Sequence, residues 1–81
     1  MNIVINDDNW TKVDLSGDKQ ITNQGTVQVR IKQSTIAPTN AQDGMLLSTY
    51  KEAYASIIIT GADDVWVLPM GGQGLINVQV I

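Results

Sequence analysis

Three short apolar segments decide the fold of this chain: Ser56-Ile57-Ile58-Ile59-Thr60, Val65-Trp66-Val67-Leu68 and Leu75-Ile76-Asn77-Val78-Gln79-Val80. Each is four to six residues long and rich in Val, Ile or Trp. Branched and aromatic side chains pack well on a pleated surface, and they lose rotamer freedom in a helix. Two breaks with glycine, at 61–64 and 69–74, separate the segments. The stretch therefore predicts three β-strands, the last two joined as an antiparallel hairpin.

The pattern within these strands predicts which side chains face a core. In the last strand three apolar residues alternate with Asn77 and Gln79, which predicts one buried face and one solvated face. The middle strand, 65–68, is apolar on both faces, which implies cover from a second sheet and a loop or from a neighbouring subunit. The alternative is that Trp66 caps the core of a monomer.

The same period of two predicts further short strands upstream, at 10–15, 19–23, 26–32 and 45–48. In the first of these, Val13 and Leu15 are expected to point inward. Residues 1–9 are interpreted as an N-terminal strand or arm, and residues 10–81 as the sandwich domain. The segment 49–54 is ambiguous, because it has the composition of a single helical turn but is too short to stand alone.

Seven or eight strands at intervals of about ten residues are the spacing of a β-sandwich or a β-barrel. The twelve-residue connection 33–44 interrupts the series of hairpins. We interpret it as a crossover between sheets, with a binding loop as the alternative. The expected fold is a single small antiparallel β-sandwich, Greek-key or jelly-roll-like.

Size and composition limit how such a domain is stabilised. A chain of 81 residues buries only about 60–65% of the surface that its unfolded form exposes. It has no Cys and no His, so disulfides and the usual zinc ligands are missing. Self-association, or docking on a larger body, is the remaining ordinary source of stability. The candidate oligomer or partner interface is taken from the two most apolar strands and comprises Trp66, Leu68, Ile76, Val78 and Val80.

The charge balance excludes some partners. Five basic against eight acidic residues give a net charge of −3, whereas nucleic-acid modules gather Lys and Arg on one face. The same acidity argues against anionic membranes. No apolar run reaches the length of a signal sequence or a membrane span, so we expect a soluble protein made in the cytoplasm.

The residues carry no recognisable catalytic or cofactor chemistry. Without His, the usual base of nucleophilic catalysis is missing. The pairs Asp7-Asp8 and Asp63-Asp64 fall in predicted turns, where carboxylates bond backbone amides, and they lack the spacing of a calcium loop. The glycine run 70–74 precedes a strand rather than the helix that a phosphate loop requires. We therefore expect no enzyme, no cofactor and no metal.

The aromatic residues are few and scattered: Trp10, Tyr50, Tyr54 and Trp66. Packing is the simpler interpretation of these side chains. Stacking on a sugar ring is the functional alternative.

Two features together resemble the head-decoration or cement proteins of tailed bacteriophages and related fibre-attachment modules. One is a strand followed by the Ala37-Pro38 loop and Gly44-Met45-Leu46-Leu47; the other is ITGADDVWVL at 59–68 followed by a glycine turn and a final strand. The pattern covers residues 10–81. It consists of apolar alternation and turns with few fixed residues, and it carries over no individual functional residue.

The resemblance implies a small β-sandwich that assembles as a symmetric oligomer, often a trimer. Such a protein seats on the outer surface of the virion capsid, binds the major capsid protein and strengthens contacts between capsomers. Other classes remain open: a tail or fibre adaptor, and a carbohydrate-binding module on a virion appendage.

Overall fold

The computed structural model describes residues 1–6, 9–50, 55–61 and 64–81, and within them the chain forms two antiparallel four-stranded sheets. The strands are β1 (Asn2–Ile5), β2 (Thr11–Val13), β3 (Lys19–Asn23), β4 (Val29–Gln33), β5 (Met45–Leu47), β6 (Ser56–Ile59), β7 (Val65–Pro69) and β8 (Gly74–Val80). The front sheet has the order β1-β8-β3-β6 and the back sheet the order β2-β7-β4-β5. The predicted all-β sandwich is confirmed.

The strand order is that of a jelly roll. Strands pair in nested fashion, β1 with β8, β2 with β7, β3 with β6 and β4 with β5, so the chain is a long hairpin folded about the 34–44 loop. The hairpin is then wrapped so that β8 also pairs with β3, and β7 with β4. Of the two topologies expected from the sequence, the double Greek key of the jelly roll is the one observed.

Two connections have roles opposite to those predicted. The 69–74 segment was predicted to be a hairpin, but it carries the chain from the back sheet to the front sheet. Met70 still donates its N–H to the Gln28 carbonyl at 2.8 Å, which continues the back sheet. Gly71 (φ 95°) and Gly72 (φ 142°) then redirect the chain. Their left-handed conformations suit glycine and let the backbone turn out of one layer toward the other.

The 34–44 loop, predicted to cross over, instead returns to the same sheet, where β4 and β5 pair. Gly44 (φ 79°) makes this return possible, since a Cβ at this position would lie 2.4 Å from the Ile31 carbonyl oxygen. Two basic side chains of β4 hold the loop. Arg30 donates to the Gln42 carbonyl at 3.3 Å, and Lys32 pairs with Asp43 at 3.1 Å.

The first residues belong to the sandwich itself. β1 pairs with β8 over four residues, and Ile5 lies in the core with 1% of its surface exposed. Of the two interpretations of residues 1–9, the strand is observed, so the sandwich begins before residue 10. The predicted helical turn at 49–54 lies largely outside the described residues, which omit 51–54.

The core is the space between the sheets, and it is almost entirely aliphatic. Its buried members are Ile5, Val13, Ile21, Val29, Ile31, Leu47, Ile59, Val65, Val67, Ile76 and Val78, with Leu15 packed against them. Val80 was expected to share the inward face of β8, but it is 57% exposed because it lies beyond the edge of the core.

One buried polar side chain joins the connection between β3 and β4 to the segment that follows β5. Asn23, at the end of β3, has no exposed surface. Its amide donates to the carbonyls of Val27 at 2.9 Å and Ser48 at 3.0 Å, and its side-chain oxygen accepts the Gly25 N–H at 3.0 Å. Because every polar atom of the amide has a partner, the residue stabilises the fold despite its burial.

Replacement of Asn23 tests this role. The Asn23→Asp substitution removes both amide donors and buries a charge, so we expect it to lower the free energy of unfolding by about 3–5 kcal/mol. The same substitution at Asn77, which faces outward, should cost about 1 kcal/mol or less. Urea unfolding measures both, and equal losses at the two sites would contradict the assigned role.

Candidate functional site: an uncharged sheet face with a free edge

The outward surface of the front sheet, called the front face below, carries no charged side chain. Its residues are Asn2 and Val4 of β1, Leu75, Asn77 and Gln79 of β8, Gln20 and Thr22 of β3, and Ser56 and Ile58 of β6. Lys19, the only charged residue in these four strands, points inward and is 4% exposed. Charge depletion of this kind distinguishes the central part of protein interfaces from the rest of a surface.

Hydrogen bonds order the polar side chains of the front face. Gln20 donates to the Ser56 hydroxyl at 3.0 Å, and the Thr22 and Ser56 hydroxyls are also 3.0 Å apart. At the other side of the sheet, Asn77 donates to Asn2 at 2.8 Å. The face is therefore a pre-arranged polar surface that has little side-chain entropy to lose when a partner covers it.

Apolar side chains border this polar surface at both edges. Val4 on β1 is 58% exposed, and Ile58 on β6 is 60% exposed. Beyond β6 a groove of about 400 Å³ separates the two sheets, with Met45, Ile57 and Ile59 among its lining residues. The front face thus combines uncharged hydrogen-bonding groups with accessible apolar rims.

The outward face of the back sheet has the opposite character. Lys12, Arg30 and Lys32 lie on it, two of them in ion pairs: Lys12 with Asp64 at 3.5 Å and Lys32 with Asp43 at 3.1 Å. These pairs are partly exposed and contribute little stability. This charged face suits contact with water, which leaves the front face as the better candidate for a partner.

The five interface residues predicted from the sequence do not form one surface. Ile76 and Val78 are buried in the core, with 0% and 1% exposed, so neither reaches a partner in this fold. Leu68 and Trp66 lie on the outward face of the back sheet, where Leu68 is 5% exposed. Val80 alone of the five is well exposed.

The two apolar faces of β7 are both covered by the chain itself. Val65 and Val67 fill the core, while the half-buried Trp66 donates its indole N–H to the Ser34 carbonyl at 3.1 Å. The sequence predicted that β7 would be covered by a second sheet and a loop, or by a neighbouring subunit. The 34–44 loop supplies this cover beside Trp66. Trp66 is held as a packed side chain rather than as an open stacking platform.

The four strands of the front sheet contain no aromatic residue. Trp10 is half-buried beside the start of β2, and Tyr50 is 55% exposed after β5. Tyr54 lies outside the described residues. These strands therefore supply no aromatic platform for a sugar ring.

Acidic groups form no metal site in the part of the chain that is described. Asp7, Asp8 and Asp63 of the predicted turns lie outside the described residues. Asp64 pairs with Lys12, and its carbonyl accepts the Ser34 N–H at 2.8 Å.

The sequence indicated only part of the front face. Asn77 and Gln79 were expected to point outward, as they do. The rest was missed because the sequence interpretation assigned no outward face to the 19–23 strand, although Gln20 and Thr22 alternate with Ile21 in the period that places them on one face. The pairing of β3 with β8 rather than β4, which brings these residues together, has no signal in either strand alone.

Comparison with known proteins gave no match to any family model, curated protein or solved structure. No helix among the described residues has the length and hydropathy to cross a bilayer.

The Lys32–Asp43 pair predicts a measurable titration. The hydrogen bond from Lys32, followed by that from the Gly44 N–H, holds the pKa of Asp43 below its ordinary value of 3.8. Because the folded pKa is lowered, the stabilisation is fully present above pH 3.8 and is lost as the pH falls through the folded pKa. We expect Lys32→Gln to raise the pKa of Asp43 in an NMR titration. Lys12→Gln, which removes the partner of Asp64 instead, should leave it unchanged, and an unaltered pKa in the Lys32 variant would contradict the pairing.

Proposed function

We propose that this chain is a non-catalytic structural protein of a virion, a decoration or cement protein that binds the outer surface of a capsid shell as an oligomer and stabilises it. The observation that carries the proposal is the front face. A small domain that already completes its own core leaves one whole sheet surface uncharged, ordered and rimmed by exposed apolar side chains.

The fold is consistent with the proposal but does not by itself indicate this function. Jelly rolls are common in viral capsid and lectin domains, but one fold serves many unrelated functions. The argument from the front face is independent of the fold class, because depletion of charge is a property of surfaces that become buried against protein. The sequence resemblance to phage decoration proteins points in the same direction.

The size of the front face favours binding by several copies at once. Four strands about 4.8 Å apart and about five residues long cover roughly 300 Å². A standard interface needs about 800 Å² on each partner. One copy therefore binds a shell weakly, whereas an oligomer gains affinity by engaging neighbouring capsid subunits together. Bridging contacts of this kind would also strengthen the lattice, with the major capsid protein as the partner.

Mechanically, such a protein acts as a clamp between subunits. Each contact replaces water on the polar groups of the front face by hydrogen bonds from the capsid, while Val4 and Ile58 bury apolar surface at the rims. The charged back face then points to solvent and keeps the particle surface soluble. A trimer, which the resemblance favours, is one oligomer that would satisfy these requirements.

A matched pair of charge substitutions tests the role of the front face in shell binding. Gln79 lies exposed on the front face, and Gln28 lies exposed just before β4 of the back sheet. We expect wild-type protein to co-sediment with expanded, empty shells of its own phage. Gln79→Glu should weaken this binding at least roughly tenfold, because it buries an unpaired charge, while Gln28→Glu should change it less than about twofold.

The controls separate the possible outcomes. Circular dichroism verifies that both variants are folded. Failure of the wild-type protein to bind shells, or equal loss in both variants, would contradict the proposal. Binding to a purified tail or fibre component instead of the shell would favour the adaptor alternative, and a change of tryptophan fluorescence on addition of glycans would favour the carbohydrate-binding one.

A further inference from the structure

The outer edge of β6 presents unpaired backbone groups in a regular pattern. Among the described residues, β6 pairs only with β3. Asn23 donates its N–H to the Ala55 carbonyl at 2.7 Å. This bond shows which residues along β6 hydrogen-bond to β3 and which face the other side. In an antiparallel pair alternate residues bond the same neighbour, so Ile57 and Ile59 bond β3 while Ser56 and Ile58 direct their N–H and C=O groups outward.

Within the described residues, this edge shows none of the features that usually prevent edge-to-edge pairing. Natural edge strands are protected by Lys, Pro, bulges or covering loops. The run from Ser56 to Thr60 contains no charge and no Pro. In the described part of the chain, the Thr60 carbonyl is engaged from outside the sheet, where it accepts the Gln33 amide at 2.8 Å. By contrast, β2 at the edge of the back sheet carries Lys12.

We propose that β6 is a self-association edge, which pairs antiparallel with β6 of a second copy about a two-fold axis that passes through Ile58. This register opposes Ile58 to the partner's Ile58, and Ile57 to the partner's Ile59. Residues that oppose each other in a sheet point to the same face. The two front sheets then form one continuous eight-stranded sheet in which inward residues meet inward residues and the two front faces merge.

The backbone groups of the edge fit this register. Ile58 directs both its N–H and its C=O outward, so the two copies of Ile58 form a pair of hydrogen bonds across the axis. Two residues away on either side, Ser56 opposes the partner's Thr60. The exposed Ile58 side chains, each 60% exposed in one copy, meet on the front face and bury each other.

Charge and symmetry favour a second copy of this chain as the partner that pairs with the β6 edge. The protein has a net charge of −3, so two copies repel each other weakly, but the run 56–60 brings no like charges into contact. An isologous contact uses the same edge twice and closes at two copies, whereas β6 joined to β1 of the next copy would continue into a ring or filament. The self-complementary register therefore selects the dimer.

The contact is short, which sets its expected strength. Five residues of paired strand span about 16 Å, so the buried area lies below that of a standard interface. We expect a dimer that dissociates in the micromolar range or above rather than a permanent one. The contact does not depend on shell binding, and it departs from the trimer that the sequence resemblance favours.

Two matched variants test the edge in solution. Ile58→Lys opposes two lysines across the axis, while Val4→Lys places the same charge on a residue of equal exposure at the other edge of the same sheet. Light scattering and sedimentation over micromolar to millimolar concentrations should show wild-type protein passing from monomer to dimer. Ile58→Lys should weaken the dimer at least roughly tenfold, and Val4→Lys should leave it near the wild-type value.

Cross-linking tests the register directly, since the chain has no native cysteine. Residues that form a hydrogen-bonded pair across antiparallel strands have Cα atoms about 5.5 Å apart, within reach of a disulfide. With diamide as the oxidant, Ile58→Cys should form a covalent dimer at least roughly tenfold faster than Val4→Cys.

Several results would overturn the inference. A monomer at every concentration, a mass of three protomers, or equal cross-linking at positions 58 and 4 would each exclude the two-fold edge contact. Thermal unfolding identifies any variant that does not fold, in which case Ile58→Pro replaces Ile58→Lys, because it removes only the N–H that faces the free edge. Gln79→Glu distinguishes this inference from the proposed function, because Gln79 lies exposed on the front face but not on β6. This variant should dimerise like the wild-type protein even where it no longer binds shells.

Discussion

The pairing of β8 along both of its edges is the interaction on which the structure depends. β8 joins β1 on one side and β3 on the other, and Ile76 and Val78 of the same strand fill the space between the sheets. A slip of one residue in this strand would turn its apolar side chains outward and its amides into the core. In a chain without cysteine or histidine, no covalent or metal cross-link would compensate for that slip. The register of β8 is therefore fixed by burial alone.

The same constraint creates the candidate site. Once Ile76 and Val78 are inward, Asn77 and Gln79 must be outward, and the pairing with β3 aligns Gln20 and Thr22 beside them. The result is a front face without charge, while the basic residues of β2 and β4 fall on the opposite surface. A core of small aliphatic side chains thus divides the molecule into a surface suited to protein contact and a surface suited to water. The proposed attachment to a shell uses the surface suited to protein contact. At β6 this surface ends in a strand that pairs on one side only among the described residues.

Sequence patterns predicted the strands well and their partners poorly. Alternation identifies a strand from its own residues, and all of the predicted strands are present. The N-terminal segment, predicted to be a strand or an arm, forms the strand β1. The connections at 34–44 and 69–74 were wrong, and for opposite reasons. The length of a loop does not determine which sheet the chain enters next. Gly44 lies close to Ile31, which lets the 34–44 loop return to the same sheet. Gly71 and Gly72 let the 69–74 segment pass to the other sheet. Ile76 and Val78 were assigned to an interface because apolarity alone does not distinguish a chain's own core from a partner.

Amide hydrogen exchange, followed by NMR on dilute protein, tests the central claim that the chain completes its own sandwich and leaves the β6 edge open. Residues Ile76 to Val78 of β8 have backbone neighbours on both sides, so their consecutive amides should all exchange slowly. Along β6, protection should alternate, with slow exchange at Ile57 and Ile59 and fast exchange at Ile58. Uniform protection along β6 in a demonstrated monomer, or alternating protection along β8, would contradict the account.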